Sequence, residues 1–192
     1  MRNSGYMVLT EDYNAASPAF RREIAAMLRR IWPDCGGEDE VHDARFRAQS
    51  FYCRMDGVLA GYAAVLRQDI VRDGVPFRLA GLSCVATAPE FRRRGVGRRL
   101  VSAASCWMAE QPELDFGIFT CHPALVPFYC GAGGWEVAPD VVLVGNSEPD
   151  ALSSSTLGVA VLMRLFSAGA WACEAQLRHG VINLGFPPGR FL

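Results

Sequence analysis

The sequence predicts a mixed α/β fold: one mostly antiparallel sheet of six or seven strands, with one parallel pair and about four helices. Three observations predict it. From residue 45 onward, apolar runs alternate with short turns, two of them marked by the dipeptides Asp56-Gly57 and Asp73-Gly74, a pairing selected by hairpin turns whose two central residues both need positive φ. The apolar run Leu82-Ser83-Cys84-Val85-Ala86-Thr87 leads through a helical stretch to a second apolar run at 114–121, and two strands joined through a helix lie parallel with a right-handed crossover. Upstream, Ser17-Pro18 precedes apolar residues at 20, 24, 27, 28 and 31, the spacing of an amphipathic helix with a capping serine and a proline at its first position.

The elements follow in order. The first helix ends near Trp32-Pro33, and residues 34–43 are too polar, acidic and glycine-rich for a core element. Residues 45–54 and 58–67 flank Asp56-Gly57, and residues 68–72 and 76–87 flank Asp73-Gly74, which makes an antiparallel meander. The second helix covers 98–111, with Leu100, Val101, Ala104, Cys106, Trp107 and Met108 as its apolar residues. A strand at 114–121, a short helix at 124–131 and strands near 135–144 and 157–166 complete the set. The serine-rich stretch 145–156 reads as a surface loop, and the apolar but proline- and glycine-rich tail 180–192 as a segment that packs without regular structure. No repeat or linker interrupts the chain, so residues 1–192 read as a single domain.

Composition removes several classes of function. Hydrophobic residues make up 51%, which excludes a disordered chain, and a formal net charge of −1 gives no support to nucleic-acid binding. All 19 basic residues are arginine. Without lysine there is no Schiff-base enzyme and no Walker A loop. The seven cysteines include no C-x-x-C pair and fall mostly in apolar runs, as reduced core residues do; with only three widely separated histidines, no metal is expected. The opening residues hold no apolar stretch and Arg164 interrupts the best candidate span, so the expectation is a soluble, cytoplasmic protein without membrane contact.

The chemistry concentrates in Arg92-Arg93-Arg94-Gly95-Val96-Gly97-Arg98-Arg99, between the strand at 82–87 and the second helix. Two glycines spaced by one residue let a backbone approach an anion closely, a helix N-terminus adds partial positive charge, and the arginines add full charge. This is a phosphate pocket. Downstream stands Pro123-Ala-Leu-Val-Pro-Phe-Tyr129-Cys-Gly-Ala-Gly-Gly-Trp135. The first motif resembles the R/Q-x-x-G-x-G/A signature of the GCN5-related N-acetyltransferases (GNAT), and the second resembles that family's A-x-x-F-Y-x-x-x-G-[FW] segment. The resemblance covers roughly residues 45 to 145.

That resemblance implies a GNAT fold whose parallel pair splays apart, with acetyl-coenzyme A as cofactor. Arg92, Arg93, Arg94, Gly95, Val96, Gly97 and Arg98 would hold the phosphates, and the strand edge at Cys84, Val85 and Thr87 would pair with the pantetheine arm while strand N–H groups polarise the thioester carbonyl. Tyr129 would protonate the leaving thiolate. Residues 56–135 further look like the aminoglycoside 2′-N-acetyltransferases, in which an acidic loop, here Glu38, Asp39, Glu40 and Asp43, and a C-terminal tail, here ending at Leu192, help bind the antibiotic. Those enzymes carry a glutamate where this chain has Ser83, a residue that can position water but has no basic pKa. Proton removal then falls to Glu38, Asp39, Glu40, His122 or the Leu192 carboxylate. Cys121 and His122 cannot form a nucleophilic pair, because adjacent strand residues face opposite ways. His42 and His179 have no supporting neighbours in sequence.

The implied reaction is direct transfer of acetyl to a primary amine of a small molecule, an aminoglycoside or a kasugamycin-type antibiotic, giving resistance; a homodimer is left open. Two alternatives stand beside it: acylation of a polyamine, a protein N-terminus or an amino-sugar oligomer, and a coenzyme A-binding regulatory module without turnover.

Overall fold

Ser17 starts the first helix as its sequence requires. In the computed structural model, which describes residues 6–33, 41–189 and 191–192, strand β1 (Leu9–Asp12) precedes helix α1 (Pro18–Ile31), and the Ser17 hydroxyl accepts from the Phe20 N–H at 3.2 Å. Ile24, Met27 and Leu28 are buried along one stripe. Strand β2 (Gln49–Met55) pairs antiparallel with β1, from Leu9↔Tyr52 to Asp12↔Gln49, and with β3 (Val58–Arg72).

Both Asp-Gly turns are built as expected. Asp56 and Gly57 have φ of 53° and 79°, and Asp73 and Gly74, between β3 and β4 (Val75–Thr87), have 50° and 80°. Positive φ at both central positions matches the turn to the twist of its strands. The break expected between 67 and 68 is absent. Burial ends after Leu66 and so does the apolar signal, but the strand runs on to Arg72.

Beyond β4, helix α2 (Val96–Glu110) leads to β5 (Phe116–Cys121), which pairs parallel with β4 at Leu79↔Phe116 and Ala80↔Gly117. Helix α3 (Val126–Gly133), strands β6 (Glu136–Val137) and β7 (Val141–Val144), helix α4 (Ser154–Leu157), strand β8 (Ala160–Leu165), helices α5 (Ala168–Ala172) and α6 (Glu174–Leu177) and strand β9 (Gly180–Asn183) follow. The main sheet has the order β1-β2-β3-β4-β5-β8-β6, seven strands that are mostly antiparallel around the parallel β4–β5 pair. Six α-helices occur among the described residues rather than about four; α4, α5 and α6 are one-turn pieces too short to show a period.

Two expectations are corrected. The tail is not wholly irregular, since β9 pairs parallel with β7 in a second, two-stranded sheet. The stretch 135–144 is not one strand, because β6 and β7 belong to different sheets. No helix among the described residues is long and apolar enough to cross a membrane.

The chain divides into two compact units, one of residues up to 66 with 82–104, the other of 67–81 with 105–192. In the first, Gly61 on β3 has no side chain because α2 lies against it: a Cβ there would meet Val96 Cγ1 at 2.5 Å and Leu100 Cδ1 at 2.9 Å. In the second, Trp135 is 2% exposed and its Nε1 donates to Ser105 Oγ at 2.8 Å. A Cβ on Gly117 would stand 2.6 Å from the Trp135 ring, and one on Gly133 would meet the same indole at 2.6 Å. Strand β5, helix α3 and the end of α2 therefore close on one indole.

Candidate active site

In the first unit, the strand β4 ends at Thr87 and a short 3₁₀ turn (Pro89–Phe91) is anchored by the Ala88 N–H donating to Ala60 O and by the buried Phe91 ring. The chain then bends through two left-handed residues, Arg93 (φ 59°) and Gly95 (φ 80°). Gly95 O accepts from Arg99 N at 3.1 Å, which makes Gly95 the cap of α2. The first N–H groups of that helix consequently have no intrahelical acceptor, the arrangement that suits an anion.

The ring of charge around this turn is exposed but partly held. Arg92 Nε donates to Thr87 O at 3.4 Å. Arg94 lies over the Phe91 ring at 5.6 Å while its carbonyl accepts from Tyr6 Oη at 3.1 Å, and Arg99 lies over the Tyr6 ring at 4.6 Å and donates to Tyr6 O. Arg92, Arg93, Arg94 and Arg98 are exposed, Val96 is buried and Gly97 half-buried in the first turn. Space beside Gly95 is open, the nearest atom to a Cβ there being Tyr6 Oη at 3.8 Å. The start of α2, the open space beside Gly95 and the exposed guanidinium groups fit a diphosphate. Tyr6 and Arg99, which brace this turn, were missed in sequence because a contact across some ninety positions leaves no local pattern.

Ser83 and Cys84 lie on β4 of the same unit. Ser83, Cys84 and Val85 are half-buried in succession, where a regular strand would alternate, and Cys84 has φ of 51°. A non-glycine residue in the left-handed region costs about 1–3 kcal/mol. This was not legible in sequence, since neither glycine nor asparagine marks it. Ser83 Oγ donates to Cys84 Sγ at 3.6 Å.

His42, which had no visible partner in sequence, has one in the fold. It is 5% exposed, its Nε2 lies 2.9 Å from Tyr62 Oη, and Ser50 Oγ lies 3.0 Å from the same hydroxyl. Burial pushes the Tyr62 phenol far up, against the hydrogen bond from Ser50. His179 sits 3.7 Å from Asp140. Glu38, Asp39 and Glu40 lie outside the described residues, while Asp43 accepts from Arg45 N at 3.0 Å.

In the second unit, Tyr129 is on α3, 7% exposed, with its ring edge-on to Phe119 at 4.9 Å and to Phe128 at 5.0 Å. Burial, followed by the neighbouring Cys121, pushes its phenol up to about 12. The proton is therefore in place throughout the neutral range, the state a proton donor needs. His122 follows β5, is exposed, and its Nδ1 accepts from the Ala124 N–H at 3.2 Å. Leu192 is tied to β5 by a hydrogen bond from Thr120 Oγ1 to its carbonyl oxygen, and its side chain lies where a Cβ on Gly81 would come within 2.6 Å. None of the six described cysteines is in a disulfide; Cys53 and Cys121 are buried as expected, but Cys106 is exposed on α2.

Comparison with known proteins agrees with this architecture. The model of the acetyltransferase (GNAT) family matches residues 11–132. The GNAT family N-acetyltransferase YhbS from Escherichia coli, solved in complex with CoA, is 20% identical with a TM-score of 0.63, over 96% of this chain and 93% of YhbS. Escherichia coli ElaA is 14% identical with a TM-score of 0.56, over 83% of this chain and 99% of ElaA. A conserved protein of unknown function from Enterococcus faecalis V583 is 18% identical with a TM-score of 0.53 over 70% of this chain, which spans 33% of that protein's length. No curated protein matches. At such identities the structures speak for the fold alone, whereas the family model covers well over half of the 192 residues. The chain belongs to the acetyltransferase (GNAT) family, whose acyl donor is acetyl-coenzyme A.

Proposed function

We propose that residues 1–192 act as one domain that transfers acetyl to a primary amine of an aminoglycoside-type amino sugar, at the 2′ position or on a kasugamycin-type compound, and so confers resistance. The observation that carries the acyl-transfer part is the turn at 92–97, where left-handed Arg93 and Gly95 lead into the N-terminus of α2 among exposed arginines. Acetyl-coenzyme A, when bound, supplies an activated thioester. In this reading the N–H groups of 93–98 bind its diphosphate and Arg92, Arg93, Arg94 and Arg98 add charge-assisted bonds. The main chain at Cys84, Val85 and Thr87 pairs with the pantetheine arm, and strand N–H groups there polarise the carbonyl.

Tyr129 holds the proton that the departing sulfur takes up. Ser83 positions water, and the carboxylates of Glu38, Asp39 and Glu40 draw the ammonium and accept its proton. His122 is the weaker candidate for that task, because its Nδ1 already accepts from Ala124 N–H. The Leu192 carbonyl is likewise engaged with Thr120. The acceptor class rests on the resemblance of 56–135 and on the acidic residues before Val41.

A second reading is a coenzyme A-binding module without turnover. It is favoured by Ser83, whose hydroxyl meets only a thiol where a carboxylate would serve as base. Thiol release from acetyl-coenzyme A, followed with kanamycin, kasugamycin, spermidine and a peptide as acceptors, separates the readings. Turnover with the amino sugars supports resistance, turnover confined to spermidine or peptide rejects it, and binding without turnover supports the module.

A further inference from the structure

The second unit contains a cavity of about 560 Å³ that acyl transfer does not use. Its apolar lining is Ile70, Val71, Pro76, Phe77 and Pro112, and the buried Phe77 ring is backed edge-on by Phe116 at 5.9 Å. Arg78 and Glu113 also line it. Both side chains are exposed, and neither the guanidinium nor the carboxylate makes a hydrogen bond or ion pair among the described residues, so two opposite charges line one cavity without pairing with each other. The other carboxylates there are already engaged. Asp115 accepts from Arg78 N at 2.8 Å and from Ser167 Oγ at 2.7 Å, and Asp69 has a partner of its own.

A purely cationic ligand would meet the Arg78 charge, and a purely anionic one the Glu113 charge. A molecule bearing both satisfies both. We propose that this cavity binds a small zwitterion, a free α-amino acid with an apolar side chain, its carboxylate on Arg78, its ammonium on Glu113 and its side chain over Phe77 and the two prolines. The volume lies within the range of small-ligand pockets, and an apolar floor with a few convergent polar groups is their usual construction. The site is separate from Tyr129: Asp115 and Phe116 stand at the start of β5, and Tyr129 meets Phe119 farther along that strand.

The test is calorimetric titration of the full chain with L-leucine and L-phenylalanine, each beside its amide, which lacks the carboxylate, and its N-acetyl form, which lacks the ammonium. The free amino acid should bind, and each blocked form should bind about tenfold more weakly or worse, the loss expected for one charged hydrogen-bonded contact. Arg78→Gln should erase the difference between acid and amide, and Glu113→Gln that between free and acetylated amine, with far-UV spectra and melting temperature unchanged. No heat from either free amino acid, equal binding of the blocked forms, or unaltered discrimination in both variants would overturn the assignment. No acetyl-coenzyme A is present in the titration, so either result leaves the acyl-transfer reading as it stands.

Discussion

In the proposed reaction the two units would carry their chemistry by different means. In the first, the loop at 92–97 offers main-chain N–H groups whose direction is set by φ at Arg93 and Gly95 and by the start of α2. In the second, Tyr129 offers one hydroxyl whose protonation is set by a dry aromatic surrounding of Phe119 and Phe128. A site made of backbone tolerates changes of side chain but not of backbone freedom or local space, while a site made of one side chain tolerates neither its loss nor its exposure.

The largest effect should come from the side-chain site. Tyr129→Phe keeps the ring and removes the proton, and kcat for acetyl transfer should fall by about 10²–10⁴-fold with the affinity for acetyl-coenzyme A unchanged. An unaltered kcat in steady-state assays would remove Tyr129 from the reaction. Next is the backbone site. Gly97→Trp places an indole in the first turn of α2, and affinity for coenzyme A should fall about 100-fold in calorimetry, the loss of one to two charged hydrogen bonds.

A third prediction concerns pH. The phenol of Tyr129 ionises near its ordinary value of 10 in the unfolded chain and near 12 in the folded one. Its contribution to stability is fully present below pH 10 and is lost as pH rises through 12, about 2–3 kcal/mol in all. Urea midpoints of wild type should therefore fall more steeply between pH 10 and 12 than those of Tyr129→Phe. Parallel curves would mean that the phenol is not desolvated. The smallest effect should be that of Arg92→Gln. Removing an exposed guanidinium should weaken coenzyme A binding only several-fold and flatten its salt dependence, and a loss as large as that of Gly97→Trp would show that charge rather than backbone dominates the loop.

The same contrast explains what was legible in the sequence. Asp56-Gly57, Asp73-Gly74 and Gly95 announced their turns because positive φ selects glycine and its neighbours, and Ser17-Pro18 announced α1 through its cap. The turn at 92–97 and the crossover helix were therefore readable from local pattern. The backbone at Cys84 was not, for its left-handed φ falls on a residue type that gives no warning. Strand β1, four residues long, and strand β9, set among prolines and glycines, take their order from partners distant in the chain. Gly61, Gly117 and Gly133 each clear room for a packed neighbour that only the fold reveals. His42 looked solitary until the fold brought Tyr62 to it.

The central claim is that the turn at 92–97 holds the diphosphate of the acyl carrier. Calorimetric titration of wild type and Gly97→Trp with coenzyme A and with pantetheine, which lacks the diphosphate and nucleotide, tests it most directly. Wild type should prefer coenzyme A by about 100-fold or more, and the variant should bind both equally weakly. Equal affinity of wild type for the two ligands, or a preference that survives in the variant, would contradict it.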